Sequence, residues 1–292
     1  MVGAALANAR WRLLPLPLIL LAANVALAAI RWRALVGVTT TELPLGRAVR
    51  IILAAWPASA INRAGDLLRA YYAAPEIPTE RALGATLMEK VIDLQCLCIL
   101  ALVAATCRGI HVLVSASATL FALLCAVHAT PTLFRSTRWL VEARPSSPLA
   151  TLARVQQALV QTWHRPRQVM WAALASFGAV TNAVLMQLSL LTILRVDVPW
   201  LDVFWAWPLA MLVGVLPVTV AGMGTRDLAF LWTLRTAGEG ASDSSGVLLV
   251  SLVYAVFATW LPTVFGLPFT LLEGRRRHRS APAASPSATA DC

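Results

Sequence analysis

Apolar residues run along this chain in long stretches, separated by short charged or proline-containing segments. An apolar stretch of roughly 20 residues is long enough to cross a bilayer as a helix. Such stretches predict helical spans over Leu13–Ile30, Thr79–Thr106, His111–Phe134, Val169–Leu194 and Val247–Leu272. The pattern therefore predicts an all-α, polytopic integral membrane protein.

Two further apolar stretches are interrupted by glycine and charge. The first, over 51–74, contains the motif Asn62–Arg69, and the second, over 200–234, contains the motif Ala221–Asp227. A broken helix at membrane depth is tolerated only where protein or a watery cavity surrounds it. We therefore predict two interrupted or re-entrant helices and about 7–8 membrane segments in all. The residues expected to break these helices are Gly65, Pro217, Gly222 and Gly224.

The order of these segments indicates a duplication within a single transmembrane domain, over 1–274. A span, an interrupted element and a second span occur at 13–106 and again at 169–272. A linking span at 111–134 and a basic loop at 135–168 separate the two halves, and a basic, then disordered tail occupies 275–292. We expect the halves to form an inverted repeat, in which a transporter's site lies where the broken helices meet.

Composition and charge agree with this membrane assignment. The chain is 59% hydrophobic and only 13% charged, with a net charge of +10. Its basic residues cluster at the ends of apolar stretches, which follows the positive-inside rule and argues against nucleic-acid binding. We expect a multi-pass protein of a bacterial inner (plasma) membrane, with the 135–168 loop and the C-terminus in the cytoplasm. Within that loop, the apolar spacing over Leu149–Trp163 predicts an amphipathic helix on the membrane surface. Arg31–Trp32–Arg33, after the first span, is predicted to be an interfacial anchor.

Charged residues near the two breaks balance in sign. The acids are Asp66, Glu89, Asp93 and Asp227, and the bases are Arg63, Arg69, Lys90 and Arg226. Charge inside a membrane is costly, and it is retained mainly where it pairs or binds something. The cysteines and histidines show no ligand spacing, so we expect no metal site and no cofactor.

The spacing of these charges predicts their partners. Asp66 lies three residues from an arginine on either side, so either could reach it within a helix. Glu89 and Asp93 are four residues apart on one helical face, so we expect a cation from another segment between them, or one protonated carboxyl. Arg226 and Asp227 are adjacent and are not neighbours on a regular helix surface. Each of these two is therefore expected to find a partner elsewhere.

Two interpretations of these charges remain open. In the first, they form a buried ion-pair network that only holds helices together. In the second, Arg63, Arg69 and Arg226 bind an anionic lipid headgroup, because guanidinium forks suit phosphate and carboxylate. Asp66, Glu89, Lys90, Asp93 and Asp227 would then be the supporting charges.

Three motifs resemble those of a known family. The segment Ile61–Arg69 is similar to P-x-R-x-G-E-x-x-R, with isoleucine for proline and aspartate for glutamate. Glu89–Asp93 is similar to E-R-x-x-D, with lysine for arginine, and Pro217–Asp227 is similar to P-x-S-x-G-G-x-G-x-R-E. The chain resembles the membrane region of lysylphosphatidylglycerol synthases and its free-standing flippase-like relatives.

The resemblance implies movement of lipids or lipid-linked groups between leaflets. In the full-length synthases, aminoacyl transfer belongs to a soluble domain after the membrane region. Only a short tail follows the last span here, so we expect no enzymatic activity. The leading hypothesis is an inner-membrane lipid translocase acting on an anionic phospholipid or a polyprenyl-phosphate-linked lipid.

Two alternative functions stay open. The chain could be a non-transporting accessory subunit of a lipid-modifying enzyme or glycosyltransferase, which would then be its protein partner. It could also be a proton-coupled transporter of small solutes, which would use the carboxylates but leaves the arginines less well explained.

Overall fold

The structure, a computed structural model, describes residues 7–37, 43–61, 63–74, 76–129, 148–215, 219, 222–237 and 244–280. The described helices are α1 (Pro15–Val36), α2 (Leu45–Ile61), α3 (Leu68–Ala73), α4 (Thr79–Cys107), α5 (His111–Ala129), α6 (Pro148–Trp163), α7 (Pro166–Leu194), α8 (Trp200–Gly214), α9 (Thr225–Ala237), α10 (Ser244–Ala255) and α11 (Leu261–Ser280). A 3₁₀ segment, Arg63–Leu67, precedes α3, and a π-helical turn, Val256–Trp260, joins α10 to α11.

The membrane class predicted from the sequence is confirmed. Within the described residues, four helical stretches are long and apolar enough to cross a bilayer: Trp11–Val36, Thr79–Cys107, Pro166–Leu194 and Ser244–Arg276. Shorter apolar helices cover His111–Ala126 and Trp200–Gly214. No strand occurs in this part of the chain. The end of the predicted linking span, the first part of the predicted basic loop and most of the predicted tail lie at 130–147 and 281–292, outside the described residues.

The first long helices of the two halves, α1 and α7, pack against each other in opposite directions. The Asn182 side-chain amide donates to the Leu20 carbonyl at 2.9 Å, and Arg31 donates to the Ser176 hydroxyl at 3.2 Å. Residue numbers therefore rise along one helix as they fall along the other. This antiparallel pair forms one wall of the charged region described below.

The first interrupted element folds back on itself. At its tip, the Ser59 hydroxyl donates to Asp66 at 2.8 Å. At its open end, Arg47 donates to the Tyr72 carbonyl at 3.3 Å. A methyl group on Gly65 would lie 2.2 Å from the carbonyl carbon of Ala58, so only glycine lets the returning chain approach α2 this closely. α2 and α3 thus form a helical hairpin that begins and ends at the same level.

The second interrupted element makes a similar hairpin from α8 and α9. Gly222 and Gly224 have φ angles of +74° and +90°, in the left-handed region that favours glycine. A methyl group on Gly222 would also meet the Gly214 carbonyl oxygen at 2.6 Å. Further from the tip, the Trp207 and Phe230 rings stack edge to face, with 5.0 Å between centroids. Pro217 lies outside the described residues.

Each hairpin is tied to the last long helix of the opposite half. Arg47, at the start of α2, forms a buried ion pair with Glu273 in α11. Asp202, at the start of α8, forms an ion pair with Arg108, just after α4. Both contacts join the beginning of a hairpin to the end of a long helix. An ion pair therefore joins the two halves at each end of the molecule.

The amphipathic helix predicted over Leu149–Trp163 is present as α6, and one of its faces packs on protein. A methyl group on Gly84 of α4 would lie 2.8 Å from Cβ of Ala158, so the two helices approach closely. Glu80 and Arg154 form an ion pair at 3.3 Å along the same contact. This face of α6 is thus covered by α4, whereas the sequence predicted a helix on the membrane surface.

Candidate functional site

Glu89 is the centre of a buried ion network. Its side chain is fully buried, and its two carboxylate oxygens pair with different arginines. Oε1 pairs with Arg31 of α1, and Oε2 accepts from Arg69 of α3 at 2.8 Å. A single carboxylate on α4 therefore links the first hairpin to the first long helix.

The network extends to two further carboxylates. Asp66 accepts from Arg69 at 2.8 Å and pairs with Lys90. Asp93 pairs with Arg31 and accepts from the Ser176 hydroxyl. The described side chains of the network thus carry three positive and three negative charges. The cation expected between Glu89 and Asp93 is Arg31.

The prediction that Arg31 and Trp32 form an interfacial anchor is wrong. Arg31 is only 7% exposed, and Trp32 is fully buried. The indole N–H of Trp32 donates to the Thr86 hydroxyl at 3.0 Å. α4 and α7 cover this end of α1, so its cationic residue faces protein. The acid pair at 89 and 93 was the sequence signal for such a cation, but nothing in the sequence identified which arginine supplied it.

The second motif forms a separate charged pair. Arg226 donates from Nε and Nη2 to one oxygen of Asp227, at 3.0 and 2.8 Å. The other oxygen of Asp227, in the third position of α9, accepts from the N–H of Gly224 just before the helix at 3.0 Å and so satisfies a free backbone donor at the helix start. The prediction that these neighbours pair elsewhere is therefore wrong. They lie in the first helical turn, where the arginine side chain folds back onto the capping carboxylate.

Aromatic rings enclose Arg226. Its guanidinium carbon lies 4.9 Å from the Tyr254 ring centroid and 5.5 Å from that of Trp207. Both distances are within the range of cation–π attraction. Arg226 is 5% exposed, so the second motif is packed behind an aromatic wall.

Two neighbouring cavities border the Glu89 network. The smaller, about 240 Å³, is lined by Ser59, Asp66 and Arg69 among others. The larger, about 390 Å³, is lined by Asp93 and Ser176 together with apolar residues. Residues common to both linings are Asn24, Arg31, Lys90 and Ala179. Because they share this wall, we treat them as one space, called the crevice below.

The second motif approaches the same crevice from behind. Tyr254, which contacts Arg226, lines the larger cavity, as does Val215 at the end of α8. Arg226 and Asp227 are not lining residues in either cavity. The structure therefore brings the two motifs to one region. Residues of the first motif line the crevice, whereas Arg226 of the second motif is separated from it by the Tyr254 ring.

The predicted site residues divide by position. Those that line the crevice are Asp66, Arg69, Lys90 and Asp93. Glu89 lies beneath them, holding Arg31 and Arg69. The side chain of Arg63 lies outside the described part of the chain.

A third charged cluster was not predicted from the sequence. Arg47 pairs with Glu273 and, at 3.1 Å, with Glu76. Glu76 also pairs with Arg276 at 3.0 Å. Each of these residues lies near a helix end, where flanking charges are common and carry no distinguishing pattern. The cluster fastens the open end of the first hairpin to α11.

Comparison with known families decides the chain's membership. The model of the family described as the lysylphosphatidylglycerol synthase TM region matches residues 1–266. The chain belongs to this family. The family suspected from the sequence is thereby confirmed, and it connects the chain to lipid handling in a membrane. No curated protein and no solved structure matched the chain.

Proposed function

We propose that the chain is a phospholipid translocase of a bacterial inner membrane, in which the crevice holds the lipid headgroup. The carrying observation is that the two cavities differ in lining yet share a wall. Arg69 and Asp66 line the smaller one, whereas Leu94, Leu97 and Met211 line part of the larger one. Charged groups line both cavities, and the larger one continues into an apolar section. A space of this kind suits a molecule with a polar head and hydrocarbon tails.

The arginines would bind the headgroup phosphate by exchanging partners. Arg31 and Arg69 are each held by two carboxylates, so either could turn one N–H edge toward a phosphate while the carboxylates fix its position. Guanidinium groups suit this role because they bind phosphate oxygens in pairs. Each arginine keeps one carboxylate partner during the exchange, which matters because unpaired charge at this depth is costly. No aminoacyl transfer is assigned to this chain.

We further propose that the two halves form an inverted repeat with two re-entrant hairpins. The antiparallel packing of α1 and α7 supports this arrangement, as do the ion pairs Arg47–Glu273 and Arg108–Asp202 at opposite ends. Each hairpin tip would then enter the membrane from a different side. The positive-inside rule favours the end carrying Arg275 and Arg276 as the cytoplasmic one.

Reconstitution tests the translocase proposal. Liposomes containing an acyl-chain fluorescent phospholipid are treated with dithionite, which bleaches only the outer leaflet. We expect wild-type protein to expose the inner-leaflet dye, and Arg69→Gln to slow this exposure strongly. The matched control is Arg108→Gln combined with Asp202→Asn, which removes an ion pair away from the crevice. An unchanged rate in folded Arg69→Gln would reject the assignment of the headgroup site.

A second function is favoured by the completeness of the pairing. Arg31, Arg69 and Arg226 each have a carboxylate partner within the described chain. A network of this kind could serve only to hold the helices of an accessory subunit that docks a lipid-modifying enzyme or glycosyltransferase. The same liposomes distinguish the two functions. Stable wild-type protein that moves no phospholipid would support the accessory role.

A further inference from the structure

The accessible charges of the crevice are of opposite sign. Lys90 has a side chain that is 45% exposed, and that of Asp93 is 27% exposed. The remaining charges of the network, on Arg31, Asp66, Arg69 and Glu89, are at most 12% exposed. A ligand in the crevice therefore meets one reachable cation and one reachable carboxylate.

The positions of these two residues match a short dipolar group. They are three residues apart on α4, and residues with this spacing lie about 5–6 Å apart on one helical face. Both line the larger cavity. The hydrogen bonds of Asp93 within the described chain use Oδ1, so its second carboxylate oxygen is available to a ligand. The Lys90 ammonium has three donors, and Asp66 is its ion-pair partner.

We infer that the crevice selects a zwitterionic phospholipid headgroup carrying a protonated amine, with the phosphate at Lys90 and Arg31 and the ammonium at Asp93. This inference rests on the proposed translocase function and names its substrate class. A bare phosphate ester would add a negative charge to a balanced set of three cations and three acids, whereas a zwitterion preserves the balance. A glycerol headgroup has no cation for Asp93. A choline headgroup has no N–H to donate to it.

Three lipid probes test the selection with the unaltered protein. Liposomes carry acyl-chain-labelled phosphatidylethanolamine, phosphatidylglycerol or phosphatidylcholine, and dithionite bleaching reports the rate at which each lipid crosses. We expect phosphatidylethanolamine to cross about tenfold faster than the other two, which corresponds to about 1.4 kcal/mol. Equal rates for phosphatidylethanolamine and phosphatidylglycerol would overturn the inference and leave the translocase proposal standing. Failure of all three lipids to cross would reject the translocase proposal and the inference with it.

A substitution then assigns the amine to Asp93. In Asp93→Asn we expect the roughly tenfold preference for phosphatidylethanolamine over phosphatidylglycerol to disappear, because the ammonium loses its acceptor and the set of charges is no longer balanced. Asp202→Asn is the matched control, because it removes a carboxylate outside the crevice. Asp93→Glu should restore the preference, which separates a lost amine contact from a misfolded protein. Equal slowing of both lipids in folded Asp93→Asn would contradict the assignment.

Discussion

Replacing Glu89 by glutamine should destabilise this protein more than any neighbouring charge substitution. The Glu89 carboxylate is fully buried and bonds Arg31 and Arg69 with separate oxygens. Glutamine keeps the shape but turns one oxygen into an N–H₂ group, which faces a guanidinium that can only donate. Two arginine cations would then share the carboxylates of Asp66 and Asp93 alone.

The magnitude follows from burial. Removing one partner of a buried ion pair typically costs about 3–5 kcal/mol, because the remaining charge is left uncompensated. Each arginine keeps one carboxylate here, so we expect the lower end, about 3 kcal/mol. At roughly 2–4 °C per kcal/mol, Tm should fall by about 6–12 °C.

Thermal unfolding in detergent, followed by intrinsic tryptophan fluorescence, measures this effect. Lys90→Gln is the matched control on the next residue of α4. Its side chain is 45% exposed, and a partly exposed ion pair is worth about 0–1 kcal/mol, so its Tm should stay within about 4 °C of wild type. A Glu89→Gln protein that unfolds within 2 °C of wild type, or no earlier than Lys90→Gln, would refute the claim that this carboxylate holds the network together.

Three further substitutions test the hairpins. Gly65→Ala should reduce the free energy of unfolding by about 1–3 kcal/mol through overpacking, because its methyl group overlaps Ala58, and so lower Tm and folded yield in detergent. Gly46→Ala, which has open space around the added methyl group, should be neutral, and equal effects at both positions would contradict the close approach. Gly222→Ala should lower Tm at least as much in the same unfolding assay, since alanine is strained at the φ of +74° found here. A wild-type Tm would show that the second break does not require glycine. Arg226→Lys keeps the charge but loses the two-donor contact with its neighbour, so we expect a loss of about 1–2 kcal/mol; unchanged thermal stability would make that contact dispensable.

Part of the fold could be predicted because its causes are local. Apolar length gives the long helices directly, and glycine close to charged residues marked both hairpin tips. The acid pair Glu89 and Asp93 also signalled a missing cation, since two carboxylates on one helical face repel each other.

Other features depend on packing between segments far apart in sequence. Arg31 lies 58 residues from Glu89, and an arginine after an apolar stretch looks the same whether it meets headgroups or another helix. Only the covering of α1 by α4 and α7 decides between these cases. Arg47 and Glu273 escaped notice for the same reason. Arg226 was misjudged because the sequence did not reveal that it lies in the first turn of a helix, where its neighbour acts as a cap.

Blocking the crevice without altering its charges tests the central claim most directly. Ala179 of α7 is a small residue in the wall common to both cavities, so Ala179→Trp should fill the space and leave every ion pair in place. Leu185→Trp, at a 48% exposed position on the same helix, controls for the added indole. The account predicts that phospholipid exchange in liposomes falls to the protein-free rate in Ala179→Trp and stays at the wild-type rate in Leu185→Trp. Exchange at the wild-type rate in folded Ala179→Trp would contradict the account.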